Sequence, residues 1–175
     1  GLPAVRLAMK LPSHVFQWRC FMETINRVLQ ETGITPSLLE LEITETAMMR
    51  NVEVTASRLS MVNALGVKIA IDDFGIGYSS LSCLSSYPIH ALKIGKAFVH
   101  GITVNPHVES IVKAIIAMAK NLKMSVIAEG VETREQLAFL KEHQCEEAQG
   151  PLFCKPELPA IVEKMLSQDT SFSRA

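Results

Sequence analysis

No stretch of this sequence approaches the ~20 consecutive apolar residues that a membrane-spanning helix needs. Its N-terminus also lacks the basic-then-apolar pattern of a secretory signal. Neither sign of charge is in excess: 17 Lys plus Arg face 18 Asp plus Glu, for a formal net charge of -1. Long-range attraction to a nucleic-acid polymer or an anionic membrane requires a clear basic excess, so neither is an expected partner. The four cysteines, Cys20, Cys83, Cys145 and Cys154, include no Cys-x-x-Cys pair. That spacing argues against a zinc ribbon and fits free, buried thiols in a reducing cytoplasm. Linkers, low-complexity segments and clear repeats are missing as well. What is present is a core: 48% of the 175 residues are hydrophobic and only 20% are charged, which excludes a disordered chain. The expectation is a soluble, cytoplasmic protein with one domain over residues 1–166 and a frayed tail over 167–175.

The apolar period switches repeatedly between two and 3.6, and this switching is the main architectural signal. Val5 to Leu11 alternates as a strand. Trp18, Phe21, Ile25 and Val28 then recur at helical spacing, with Ser13 as N-cap. Leu39 to Thr44 is a second strand. Val52, Ala56, Leu59 and Val62 mark a helix that Gly66 ends. Lys68 to Asp72 is a third strand, running into the turn Asp73-Phe74-Gly75-Ile76-Gly77, and a short helical stretch spans Ser79 to Ser85. Ala91 to Ile94 is the fourth strand. Asn105-Pro106 reads as N-cap and first helical position, followed by a face of Val108, Ile111, Ile115, Ala119 and Leu122. Ser125 to Glu129 is the fifth strand, and Thr133 with Gln136 forms a capping box for the next helix. Glu147 to Leu152 is a sixth strand, and Pro159 opens a last helix.

Strands alternating with helices imply parallel pairing through right-handed crossovers, either in an open doubly wound sheet or in a (β/α) barrel. Side-chain parity separates the two, because successive strand residues point to opposite faces. Val5, Leu7 and Met9 oppose Arg6, Ala8 and Lys10; Leu39, Leu41 and Ile43 oppose Glu40, Glu42 and Thr44. Val67, Ile69 and Ile71 oppose Lys68, Ala70 and Asp72. Leu92 and Ile94 oppose Lys93, and Val126 and Ala128 oppose Ile127 and Glu129. Each strand thus carries one oily face and one that ends in a charge. A doubly wound sheet covers both faces with helices and reads nearly apolar throughout. A barrel has a polar-tolerant interior with its active site on the C-terminal rim, so parity favours the barrel.

Glu42, Asp72, Asp73, Lys93 and Glu129 all lie at or near the C-terminal ends of these strands and converge on one mouth of a barrel. A single strand-end acid is more often a cap or loop anchor. Acids on successive strands need compensation, and carboxylate oxygens suit Mg²⁺ or Mn²⁺. Such metals with a nearby Lys make a kit for phosphodiester hydrolysis. The remaining motifs carry less. Gly75-Ile76-Gly77 alone is more often a tight turn than a phosphate loop. The five histidines share no ligand spacing, and the Met residues read as core fillers. Phe74 and Tyr78 can stack on a base or simply pack.

Five segments together resemble the EAL-domain family, bacterial cyclic di-GMP phosphodiesterases with a modified TIM barrel: Leu41-Glu42-Ile43-Thr44-Glu45, Asp72-Asp73-Phe74-Gly75-Ile76-Gly77-Tyr78-Ser79-Ser80-Leu81, Leu92-Lys93-Ile94, Ile127-Ala128-Glu129-Gly130-Val131-Glu132-Thr133 and Gln149-Gly150. The resemblance runs from about Gly1 to Pro159. It implies metal-dependent hydrolysis of cyclic di-GMP to linear pGpG, with Mg²⁺ or Mn²⁺ held by Glu42, Asp72, Asp73 and Glu129. Lys93 is implied to orient the hydrolytic water, and Glu129 to be a second-metal ligand or general base. Gln149 is implied at the metal-water shell. Glu45 pins the loop through Gly75 and Gly77, and Glu132 lies near the substrate. Pairing with a second copy through the segment from Ser79 to Pro88, or with a partner domain, is also implied.

The chain departs from the family at several positions. The signature Glu-Ala-Leu falls upstream of Gly1, so about six βα units of an incomplete barrel are expected and the first strands are missing. Lys10 stands where the family has a metal-binding Asn. Gly95 stands where an Asp follows Leu-Lys-Ile, and Ile76 where Thr or Ser is usual. These changes favour weak or lost hydrolysis. The alternatives are a non-catalytic cyclic di-GMP receptor, a protein-interaction module, and a fragment of a longer signalling protein. By parity Lys10 points inward, where a buried ammonium would need Glu42 or Asp72 as partner and would stand in for the metal ion; the alternative is that it snorkels out of the mouth and leaves one ligand missing.

Overall fold

Six strands, all parallel, form one sheet in chain order from β1 to β6. The structure is a computed structural model that describes residues 3–49, 51–75 and 81–167, with the side chains of 81–83 outside that set. The chain runs β1 (Leu7–Leu11), α1 (Ser13–Phe16), α2 (Phe21–Thr32), β2 (Leu39–Thr44), α3 (Glu45–Met48), α4 (Val52–Ala64), β3 (Lys68–Phe74) and α5 (Leu81–Ser86). It continues through β4 (Ala91–Ile94), α6 (Lys96–Gly101), α7 (Pro106–Asn121), β5 (Ser125–Glu129), α8 (Arg134–Glu142), β6 (Glu147–Gln149) and α9 (Pro159–Ser167). The sheet curls into part of a barrel with helices outside. This is the parallel, barrel-type α/β fold that parity favoured.

The alternation is physical as well as formal. Leu41, Ile43, Ile69, Ile71, Leu92, Ile94 and Val126 are 0–1% exposed on the helix-facing side of the sheet. Burying each such side chain is worth about 1.5–3 kcal/mol. On the concave side Ala70, Ala91 and Ile127 form a thin apolar layer beneath the charged residues of the mouth. Helix starts follow the cap residues. Asn51 accepts from Val54 N at 3.2 Å and Asn105 from His107 N at 2.9 Å. The Thr133–Gln136 capping box forms in both directions.

Several expectations shift. The first strand begins at Leu7, and the sixth ends at Gln149 instead of Leu152. Ser13 is the first residue of a four-residue helix and not the N-cap of one long helix. The chain then turns, and α2 starts only at Phe21. At the turn the Arg58 guanidinium of α4 donates to the Phe16 carbonyl, an acceptor that a continuous helix would also use. Phe16 itself is fully buried, edge-on to Phe21 at 5.4 Å. On α7 the buried face is Val112, Ile115, Ile116 and Ala119, while Ile111 is exposed. Cys20 and Cys154 are exposed free thiols and Cys145 is partly buried, so the cysteines are not uniformly buried. Phe74 packs in the core. Gly77, Ile76, Tyr78 and the segment 168–175 lie outside the described residues.

β1 and β6 are the two edges of the sheet. They are tied across the concave face by Arg6. Its guanidinium lies 2.9 Å from both Glu147 carboxylate oxygens on β6 and 3.2 Å from Glu40 on β2. Glu40 is 2% exposed, so its charge is compensated where water cannot reach it. On its outer face β1 leaves Leu7 56% and Met9 40% exposed, next to Val5 at 50%. No helix among the described residues is long and apolar enough to cross a membrane.

Candidate active site

Parity and register bring the charged strand ends together. Glu42 lies two residues before Thr44 and the end of β2, and Thr44 pairs with Asp72 on β3. Lys93 pairs with Ile127, two residues before Glu129, and Glu129 pairs with Gln149. One oxygen from each of Glu42, Asp72 and Glu129 lies within 4.8 Å of the other two. A cation with bonds of about 2.0–2.6 Å can touch oxygens that far apart, and hard carboxylate donors match Mg²⁺, Mn²⁺ or Ca²⁺. These residues therefore fit a divalent ion.

The trio is not left bare. Lys93 Nζ lies 2.5 Å from Glu42 Oε1 and 2.5 Å from Glu129 Oε1, with its side chain only 3% exposed. Burial pulls the Lys93 pKa down, but the hydrogen bonds and charges of Glu129 and Glu42 outweigh it and hold it above its ordinary value. Glu129 shifts up too. Burial is the main cause, Lys93 only partly opposes it, and the charges of Asp72 and Glu42 add to it. The two directions agree physically: one buried ammonium faces three carboxylates, so it stays charged while a carboxyl resists ionising. Gln149 Nε2 donates to Glu129 Oε1 at 2.9 Å and fixes that carboxylate from β6.

Asp73 joins the site by a different route. Between β3 and β4 the register slips, with Ile71 opposite Leu92 but Phe74 opposite Ile94. Asp72 and Asp73 form that bulge. Asp73 takes a φ of 53°, and its N–H donates to Asp72 Oδ1 at 2.8 Å. A bulge re-aims side chains, and here two successive acids face one cation. Lys10 Nζ lies 2.6 Å from Asp72 Oδ2 and 3.2 Å from Asp73 Oδ2. The hydrogen bond with Asp72 is the largest cause of a raised Lys10 pKa. Two parts of the expectation for Lys10 are corrected. Its side chain is 56% exposed rather than buried, and Glu42 is paired with Lys93 instead. Over the whole mouth, four carboxylates face two ammonium groups, which leaves a formal charge of -2.

The flanking positions fall around this centre. Glu45, 4% exposed at the start of α3, accepts from Gly75 N at 3.1 Å and so anchors the turn after β3. Gly75 has a φ of 95°, and a Cβ there would lie 2.9 Å from the Phe98 ring, so both conformation and space call for glycine. Gly150 makes a closer approach, with a Cβ falling 2.3 Å from Val131 N. That contact lets Val131 N donate to Gln149 O at 3.0 Å and sets Gln149 beside Glu129. Glu132 sits on the rim, 3.1 Å from Lys96 Nζ and 3.2 Å from His100 Nε2, and Lys96 is the main cause of its lowered pKa. Gly95 precedes α6 as an N-cap with no side chain to offer it. The Arg6–Glu40–Glu147 brace was not foreseen from sequence, although all three residues occupy inward positions of their strands.

A profile of the EAL domain matches residues 2–156. The chain belongs to the EAL-domain family. It is 44% identical over 145 residues, 83% of its length, to the cyclic di-GMP phosphodiesterase NbdA of Pseudomonas aeruginosa. It is 38% identical over 157 residues, 90% of its length, to the cyclic di-GMP phosphodiesterase PdeR of Escherichia coli. The alignments take in 18% and 24% of those relatives, so the chain spans less than a quarter of their lengths. Among solved structures, the EAL domain of Mycobacterium smegmatis DcpA matches with a TM-score of 0.87 and 36% identity, over 93% of this chain and 73% of that one. The PaMucR phosphodiesterase in complex with c-di-GMP matches with a TM-score of 0.88 and 34% identity, over 90% of this chain and 64% of that one. The curled six-stranded sheet is thus the EAL form of the TIM-type barrel.

Proposed function

We propose that this EAL domain acts on cyclic di-GMP by metal-assisted phosphodiester hydrolysis to linear pGpG, at a rate slowed by Lys10 on Asp72 and by the lack of a carboxylate at Gly95. The supporting observation is the gathering of Glu42, Asp72 and Glu129 oxygens within 4.8 Å around a buried lysine. Glu42, Asp72 and Glu129 would hold Mg²⁺ or Mn²⁺, with Asp73 for a second ion. When bound, such an ion polarises a phosphate oxygen and lowers the pKa of a coordinated water. Lys93 keeps Glu42 and Glu129 apart and supplies a fixed positive charge beside the attacking oxygen. Glu129, with Gln149 donating to its Oε1, would serve either as a ligand of the second ion or as the general base that takes up the proton of the attacking water. Glu45 holds the turn at Gly75, while Glu132, tied to Lys96 and His100, lines the rim on the substrate side. Residues 1–166 act as one domain, in the cytoplasm, as a homodimer or against a partner domain.

A second reading, a cyclic di-GMP receptor without turnover, is favoured by Lys10 on Asp72 and by the absence of a carboxylate at Gly95. Calorimetric titration with cyclic di-GMP, with and without Mn²⁺, followed by product analysis separates the two. Metal-dependent pGpG release slower than about 1 per second is expected. Binding without product selects the receptor, and neither binding nor product refutes both and leaves a protein-interaction module.

A further inference from the structure

Two lysines face the acidic cluster, and they differ in how freely they can leave it. Lys93 is 3% exposed and is held between Glu42 and Glu129 at 2.5 Å from each. Lys10 reaches Asp72 and Asp73 from edge strand β1 with more than half of its side chain in solvent. Its four-carbon stem can swing the ammonium outward without disturbing the sheet, because a hydrated head on an apolar stem has many near-equivalent rotamers. Asp72 has no such freedom: its side chain is 2% exposed, and its Oδ1 already accepts from Asp73 N. A buried carboxylate must keep a cation, so whatever replaces Lys10 has to supply positive charge at Asp72.

We propose that Lys10 is a displaceable counter-ion of the site, so that a divalent cation enters by exchange with the Lys10 ammonium at Asp72 and Asp73 and binds more weakly for it. The inference rests on Glu42, Asp72 and Glu129 being the metal ligands, and it adds a device that sets how readily they load. The charges favour one exchange. With both ammonium groups in place the mouth carries a formal charge of -2, and with Lys10 withdrawn it carries -3, so it attracts a divalent ion more strongly once Lys10 has left. Lys93, locked by burial, stays in either state.

Calorimetric titration of the folded chain with Mn²⁺ alone tests this, using Lys10→Met, which removes the charge, and Lys10→Arg, which keeps it. Lys10→Met is expected to bind Mn²⁺ about tenfold more tightly, the equivalent of one charge-assisted contact no longer broken. Lys10→Arg is expected to stay close to the parent. In EDTA, Lys10→Met is expected to melt below the parent, and added Mn²⁺ to raise its melting temperature by more than the parent's. Lys10→Gln, which keeps a hydrogen-bond donor for Asp72, repeats the test if Lys10→Met folds poorly. Equal Mn²⁺ affinity in the parent, Lys10→Met and Lys10→Gln overturns the exchange while leaving the metal ligands standing. No Mn²⁺ binding in any variant overturns the ligand assignment, and the exchange with it.

Discussion

Replacing Lys93 with Met should expose how strongly the acidic mouth depends on one ammonium. The side chain is 3% exposed and contacts Glu42 and Glu129 at 2.5 Å each, with Asp72 close by. Met fills similar volume without charge, so Lys93→Met leaves the packing roughly intact and strands the carboxylates. Removing one partner of a buried ion pair costs about 3–5 kcal/mol, most of it the desolvation of the charge left behind. In a chain of this size that lowers the melting temperature by roughly 6–20 °C. The loss should depend on pH. Glu129 already has a raised pKa, and without Lys93, which opposes that shift, it is pushed higher. A carboxyl whose folded-state pKa is raised contributes most to stability below its ordinary value, and that contribution is lost as pH rises through the raised value. The gap between parent and Lys93→Met should therefore be widest near pH 8 and close towards pH 4.5. Urea denaturation at several pH values measures it, and Lys93→Met combined with Glu42→Gln should recover at least about 1 kcal/mol through coupling of neighbours. A gap under about 1 kcal/mol at pH 8, or one that does not narrow with acid, would refute the buried-cation account.

Other sites make separate predictions. Because the Glu129 pKa is raised, Glu129→Gln should gain stability relative to the parent as pH rises from 4.5 to 8 in denaturation experiments, while any pGpG formation is lost; surviving turnover would reassign the proton acceptor. Gly150→Ala places a Cβ 2.3 Å from Val131 N, so it should cost about 1–3 kcal/mol and move Gln149 off Glu129, read by thermal melts and by the Gln149 side-chain amide signals in NMR. The parent should self-associate with concentration through the exposed Leu7 and Met9 face of β1, and Leu7→Lys should shift sedimentation towards monomer; a parent that is strictly monomeric at all concentrations with a sharp melt would count against it.

The parts of the fold legible in sequence were those with an unambiguous period. β2, β4 and β5 begin and end where the sequence says they should: β2 alternates apolar and polar in strict turn, while β4 and β5 are short apolar runs that carry a charged residue near their C-terminal ends. α3 and α6 are four and six residues long, too short to show a helical period, and they were missed. α7 shows a subtler failure. Its apolar doublets, Ile111-Val112 and Ile115-Ile116, permit two stripes one residue apart, and only packing against β4 and β5 selects the one with Val112 and Ile116 inside. Period analysis fixes that a helix is amphipathic, while the neighbour it meets fixes which face is buried.

The site divides along similar lines. Glu42, Asp72, Lys93 and Glu129 follow from parity alone, since a period of two sends each to the concave side near a strand end. Asp73 does not follow, for parity points it away from Asp72; the bulge that turns it back is a property of β3 and β4 together. The pairing of the lysines was also hidden. Lys10 is the register neighbour of Glu42, yet Glu42 is taken by Lys93 from two strands away. Burial decides the competition. An ammonium 3% exposed cannot fall back on water and must have carboxylates, while one that is 56% exposed is hydrated whether paired or not. Depth comes from the curl of the sheet, because β1 lies at an edge with a strand on one side only, whereas β4 lies between two. Parity therefore tells which side chains face the mouth, and position in the sheet order decides which of them control its charge.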